Sequence, residues 1–222
     1  MNERMVNRDN GYEGVLSTNK VLRNTYFLLS LTLLFSAAVA GVAMVMNVPP
    51  VHWIILLVGF YGLIFLTERN RDSSLGIMFV FALTGFMGYT LGPILNMYVG
   101  AGMGHVVMTA LGGTALTFFA CSAYALTTKR DLSFLNGMLM AGFIAIIVAV
   151  VANIFLKMPM LSLAISGMFV LFSSAAILLT TQSIIRGGET NYISATVTLY
   201  VSIYNLFLSL LQILGVVNSS DN

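Results

Sequence analysis

Six side chains able to hydrogen-bond recur along the last apolar run of this chain: Ser194, Thr198, Ser202, Asn205, Ser209 and Gln212. At about 100° per residue they fall within roughly 80° of arc on one helix face. Tyr200, Tyr204, Phe207 and Leu211 take the other side of the wheel. The preceding run has its own stripe, since Ser162, Ser166, Ser173 and Thr180 share roughly 40° of arc. In a bilayer such groups need partners, so the last stripe is expected to face protein or a water-filled cavity. Together Ser162, Ser166, Ser173, Thr180, Ser194, Thr198, Ser202, Asn205 and Ser209 are the candidate polar core or pathway. Plain helix–helix adhesion is the favoured role, because hydroxyls and amides hold a bare cation poorly without a carboxylate or carbonyl cage.

The titratable groups argue the same way. All eight carboxylates (Glu3, Asp9, Glu13, Glu68, Asp72, Asp131, Glu189, Asp221) lie outside the apolar runs or at their ends, whereas proton relays and cation sites in membranes usually rest on an acid at mid-depth. His52 and His105 are isolated near run ends and suit interfacial or capping roles. Cys121 is the single cysteine, so no intramolecular disulfide forms. No HExxH, GxSxG or phosphate loop is present. The expectation is therefore no catalytic, cofactor-binding or metal-ligating residue, and no enzyme. Pro93, behind Gly85, Gly88 and Gly92, is the candidate kink, since it removes a backbone donor near a helix end.

These residues must be positioned by membrane-spanning helices. Of 222 residues, 58% are hydrophobic and 8% charged, against about 25% charged in a soluble domain. Too few charges remain to coat a globule of this size. Seven spans are expected, each long enough for a hydrocarbon core of about 30 Å: Tyr26 to Met46, Val51 to Thr67, Leu75 to Asn96, Gly104 to Thr127, Ser133 to Leu156, Met160 to Gln182 and Tyr192 to Val217. The second is the shortest. Pro49-Pro50 suits the first turn of a helix, and Gly112-Gly113, Gly137 and Gly142 suggest further close packing. The fold class is an all-α integral membrane protein organised as three hairpins and a seventh helix.

Nine of the ten Lys and Arg residues fall at alternate ends, in the tail and in the loops after spans two, four and six, and only Lys157 lies at the opposite ends. This places the N-terminus in the cytoplasm and the C-terminus across the membrane. The expected organisation is a cytoplasmic tail over residues 1–25 that enters its helix near Ser17, a transmembrane domain over 26–217, and a short outer tail over 218–222. The scattered positive charge gives no footprint for nucleic acid.

Four separate blocks carry a family resemblance: "STNKVLRNTYFLLSLTLLFSAA" (17–38), "TGFMGYTLGPILNMY" (84–98), "LGGTALTFFACSAYALTTKRDLSFL" (111–135) and "GGETNYISATVTLYVSIYNLF" (187–207). They resemble the Bax inhibitor-1 family of seven-span proteins. The resemblance implies a bundle in which six helices surround the seventh. It is nearest to a bacterial inner-membrane branch, and so implies a protein that binds and modulates the membrane protease FtsH and doubles as its substrate, with the N-terminal tail as an initiation segment. The alternative it offers is a pH-sensitive calcium leak or small-solute pathway, which in the wider family rests on two facing aspartates. The matching positions here are Thr180, in "TTQSII", and Ser202, in "YVSIYNLF". Neither side chain titrates in the physiological range, which weakens the leak reading and leaves calcium open.

Overall fold

A computed structural model of the chain describes residues 3–220, with side chains for residues 20–219. Seven helices follow in order: α1 (Glu3–Val45), α2 (Trp53–Arg69), α3 (Ser74–Gly100), α4 (Gly104–Thr127), α5 (Phe134–Leu156), α6 (Pro159–Ile185) and α7 (Tyr192–Ser220). No strand occurs among the described residues. All except α2 are long and apolar enough to cross a membrane. At 17 residues α2 is about 25 Å long, and it lies along α3 after a tight turn through Asn70 and Ser73.

Several boundaries differ from expectation. Helix α1 begins at Glu3 rather than near Ser17, because Glu, Arg, Met and Leu in the amino-terminal segment propagate a helix well once the apolar half of α1 nucleates it. Pro49-Pro50 does not open α2, which starts at Trp53 with the His52 ring accepting from the Ile54 amide. The second proline forces the residue before it out of the helical region, so the pair stays in the extended link. At the other end α7 continues to Ser220, past the expected exit at Val217; Asp221 and Asn222 lie outside the described residues.

The turns are built from capping chemistry. Lys157 adopts a left-handed conformation that ends α5, and Pro159 then opens α6 at its first turn. Asn191 starts α7, its side-chain oxygen accepting from the amides of Ile193 at 2.9 Å and Ser194 at 3.2 Å.

Helix α7 is the central post, and it has the largest buried share of any span. Helices α1, α2, α3, α4 and α6 pack directly on it, whereas α5 packs on α6 alone. The core runs along α7 through Ile193, Leu199, Tyr200, Leu206 and Leu211. Helices α1 and α3 make the closest contact, because glycines on α3 remove what would hold them apart. A Cβ on Gly88 would strike the Ser36 carbonyl, and one on Gly92 would lie 2.6 Å from the Ala43 methyl. Gly112 and Gly137 face open space instead, so the close packing expected there is absent; both lie on surfaces that no neighbouring helix covers.

Gly88→Val and Gly92→Val are accordingly expected to lower thermal stability in detergent, each by about 1–3 kcal/mol. Gly137→Val, changed the same way, should leave the melting temperature within error. Equal effects at all three positions would refute the assignment of the α1–α3 seam.

Candidate functional site

The expected stripe on α7 divides in two. Ser194, Ser202 and Ser209 are buried and Asn205 is half-buried, but Thr198 and Gln212 are exposed. The face is therefore wrapped only along one edge, which follows from α5 standing one layer out from α7. On α6, Ser166 and Ser173 are buried and Ser162 and Thr180 half-buried.

Three of these hydroxyls, those of Ser166, Thr198 and Ser202, turn back on their own helix. Thr198 donates to the Ser194 carbonyl at 3.0 Å and Ser202 to the Thr198 carbonyl at 2.8 Å, the back-bonding that serine and threonine adopt inside apolar helices. One bond joins the two stripes directly, from Ser166 Oγ to Gln212 Oε1 at 2.8 Å; beside it Asn153 of α5 donates to Ser162 at 2.8 Å. Among the described residues no hydrogen bond links Thr180 to Ser202, and Ser173 Oγ is buried without a partner. No group of three or more His, Cys, Asp or Glu side chains lies close enough among the described residues to hold a metal ion. Pro93 lies inside α3, which continues to Gly100. Its ring leaves the Tyr89 carbonyl without the usual donor.

The structure places a denser polar network on the side of α7 that the sequence marks as aromatic. The Tyr200 hydroxyl is hydrogen-bonded to Ser36 Oγ and lies 3.3 Å from the Thr84 carbonyl. One turn on, the Tyr204 hydroxyl meets Thr90 Oγ1 at 3.4 Å, and the two rings stack at 6.4 Å. Tyr26 of α1 reaches Thr181 of α6 at 3.3 Å, and Tyr98 of α3 donates to the Leu211 carbonyl at 3.2 Å. Each contact ties one helix to another. The signal was present in the sequence, because a phenol in an apolar setting seeks a partner for its hydroxyl; partners scattered over α1, α3 and α6 could not be assigned from spacing within a single helix.

A second cluster lies outside the spans, where the α4–α5 loop meets the end of α6. Gln182 is buried and doubly used: Oε1 accepts from the Leu132 amide at 2.8 Å, and Nε2 donates to the Arg130 carbonyl at 2.9 Å. Arg186 donates to that same carbonyl at 2.7 Å and pairs with Asp131 at 3.0 Å. The backbone amide and hydroxyl of Ser133, followed by the charge of Arg186, hold the Asp131 carboxyl below its usual range. A third cluster anchors the start of α7, where Ser194 donates to Glu68 at 2.9 Å and Asn191 to Asp72 at 2.7 Å.

Architecture and polar network together define a multi-span, all-helical integral membrane protein whose helices are stitched by buried hydroxyls. The family model described as "Inhibitor of apoptosis-promoting Bax1" matches residues 18–219, and the chain belongs to that family. It is 60% identical over 213 residues to the Escherichia coli K12 protein named "Modulator of FtsH protease YccA", covering 96% of this chain and 97% of that one. A counterpart with the same identity and coverage in E. coli O6:H1 is named "Inner membrane protein YccA". An uncharacterized membrane protein of Vibrio cholerae is 44% identical along the full length of both chains.

Two outcomes are expected. In a double-mutant cycle, Tyr200→Phe should destabilise the bundle by about 1 kcal/mol through the stranded Ser36 hydroxyl, and Ser36→Ala added to it should cost less than its effect alone; strict additivity in thermal or denaturant unfolding would remove the contact. In carbon-13 NMR titration the Asp131 carboxyl should protonate below the ordinary aspartate range. Any stability it contributes is present above the unfolded-state pKa and lost as pH falls through the lower folded value. Arg186→Gln should move that midpoint up only part of the way, since both Ser133 hydrogen bonds remain.

Proposed function

We propose that this chain is a non-enzymatic inner-membrane protein that binds the membrane protease FtsH, modulates it, and is also its substrate. The observation that carries this reading is the 60% identity, over nearly all of both chains, to a relative named as a modulator of that protease. In keeping with it, the hydroxyls of Ser166, Thr198 and Ser202 on the α6 and α7 stripes are engaged within the bundle. Alternation of the positive charges supports a cytoplasmic position for residues 1–25 and a periplasmic carboxyl terminus, which would offer a polar segment on the side where a protease can engage it. A bundle closed by the α1–α3 seam and the Tyr200 contact resists being pulled apart helix by helix. Engagement would then be slow, and a slowly processed substrate holds its protease occupied.

Deleting Met1 to Asn10 should slow turnover by the protease in cells, while the full chain co-purifies with it under mild detergent. Unchanged turnover together with absence of co-purification would overturn the proposal.

A further inference from the structure

A hollow of about 660 Å³ lies between α1 and α4, with Tyr200, Ile203, Tyr204 and Phe207 of α7 in its lining. Helices α1 and α4 do not pack on one another, although each packs on α6 and α7. At the amino-terminal side of α1 the rings of Tyr26 and Phe118 come within 5.9 Å; at the far side Leu91 and Leu95 of α3 reach in. The lip carries Leu34, Leu111 and Phe119, which are 70%, 48% and 66% exposed. The hollow therefore opens sideways, towards the bilayer.

Its chemistry calls for an apolar occupant. Every hydroxyl in the lining is already bonded within the protein: Ser30 to the Phe27 carbonyl, Thr114 to the Ala110 carbonyl, Ser36 to Tyr200, Tyr204 to Thr90 and Tyr26 to Thr181. With each hydroxyl already engaged, the lining offers little to hold water. Its size selects among apolar occupants. From Tyr26 to Gly41 the lining extends about 22 Å along α1. A hollow of that length, bounded by two helix faces, accommodates a single unbranched hydrocarbon chain.

Charge then selects the lipid. Arg23 continues the face of α1 that carries Tyr26, Ser30, Leu34 and Gly41, one turn nearer the membrane surface, and Lys20 follows a turn further on; both side chains are exposed. A guanidinium at that level suits a phosphate. We propose that the hollow seats one acyl chain of an anionic phospholipid from the leaflet on the amino-terminal side, its phosphate resting against Arg23 and Lys20. The bound lipid would fill the gap between α1 and α4 and so complete the wall around α7. This inference is independent of protease binding.

The test uses the full chain in vesicles containing phosphatidylglycerol with a photoreactive diazirine midway along one acyl chain. After irradiation, adducts should concentrate on residues 33–41 and 111–119, several-fold above Met140, Ile144, Ile147 and Val148 of α5, exposed side chains outside the hollow. Arg23→Gln and Lys20→Gln are exposed changes that leave the fold alone. Each should lower labelling of the hollow by about five-fold while α5 is unaffected, and the matching phosphatidylcholine probe should label the hollow weakly. Equal labelling of hollow and α5, or labelling indifferent to both headgroup charge and the two cations, would overturn the proposal. So would a photoreactive side chain at Leu34 that traps a polypeptide in native membranes.

Discussion

Ser36 joins three helices at once, and the architecture depends on how closely they meet there. Its carbonyl sits where a side chain on Gly88 would be, so α1 and α3 touch backbone to backbone. Its hydroxyl meets Tyr200 at the centre of α7. In hydrocarbon a polar group without a partner is costly, and helix association gains little from burying apolar surface that lipid would cover equally well. Specificity must come from fit and from hydrogen bonds. The glycines on α3 supply the fit that brings the Ser36 hydroxyl within reach of the phenol, and the phenol in turn fixes the rotation of α7 against the α1–α3 pair.

That rotation turns the phenols of α7 into its helix contacts and leaves Thr198 and Gln212 exposed on its hydroxyl side. Tyr200, Tyr204, Phe207 and Leu211 pack into α1, α3 and α4 with their polar ends satisfied across helices. On the opposite face Thr198 and Ser202 bond to their own backbone and so ask little of a neighbour. With Thr198 and Ser202 bonded internally and Ser194 and Gln212 met by Glu68 and Ser166, that face tolerates an incomplete ring, so α5 can stand behind α6.

The seven elements and their order were readable from the sequence, since apolar runs of about 17 to 26 residues punctuated by Gly, Pro and Arg leave few other foldings. The amphipathic split of α7 was readable too. What the split meant was not, because spacing places Ser202 and Tyr200 on opposite faces but does not say which face finds partners. A stripe of hydroxyls looks like the polar core until Thr198 and Ser202 are seen donating to carbonyls four residues back and Ser194 to Glu68. The tyrosines look like packing until Ser36, Thr84 and Thr90 arrive from distant parts of the chain. The Gln182 clamp escaped for the same reason, its partners lying some fifty residues away in a loop. The start of α1 was misjudged because charged residues were read as a tail, although most of them are good helix formers.

The family resemblance expects paired aspartates where this chain has Thr180 and Ser202, and the arrangement of the bonds shows why such a pair can be absent without loss of the fold. Neither residue takes part in the contacts that fix the helices: Ser202 is bonded within α7, and the Tyr26 partner on α6 is Thr181, one residue along. A buried pair of acids raises its own pKa by mutual repulsion and desolvation, and that is a device for responding to pH rather than for holding helices together. Removing it takes away a titrating element from a bundle already held by Ser36, Tyr200, Thr90 and Gln182. Scaffold and titration are therefore separable here, and what remains is a tightly seamed membrane body whose polar groups are committed to its own architecture.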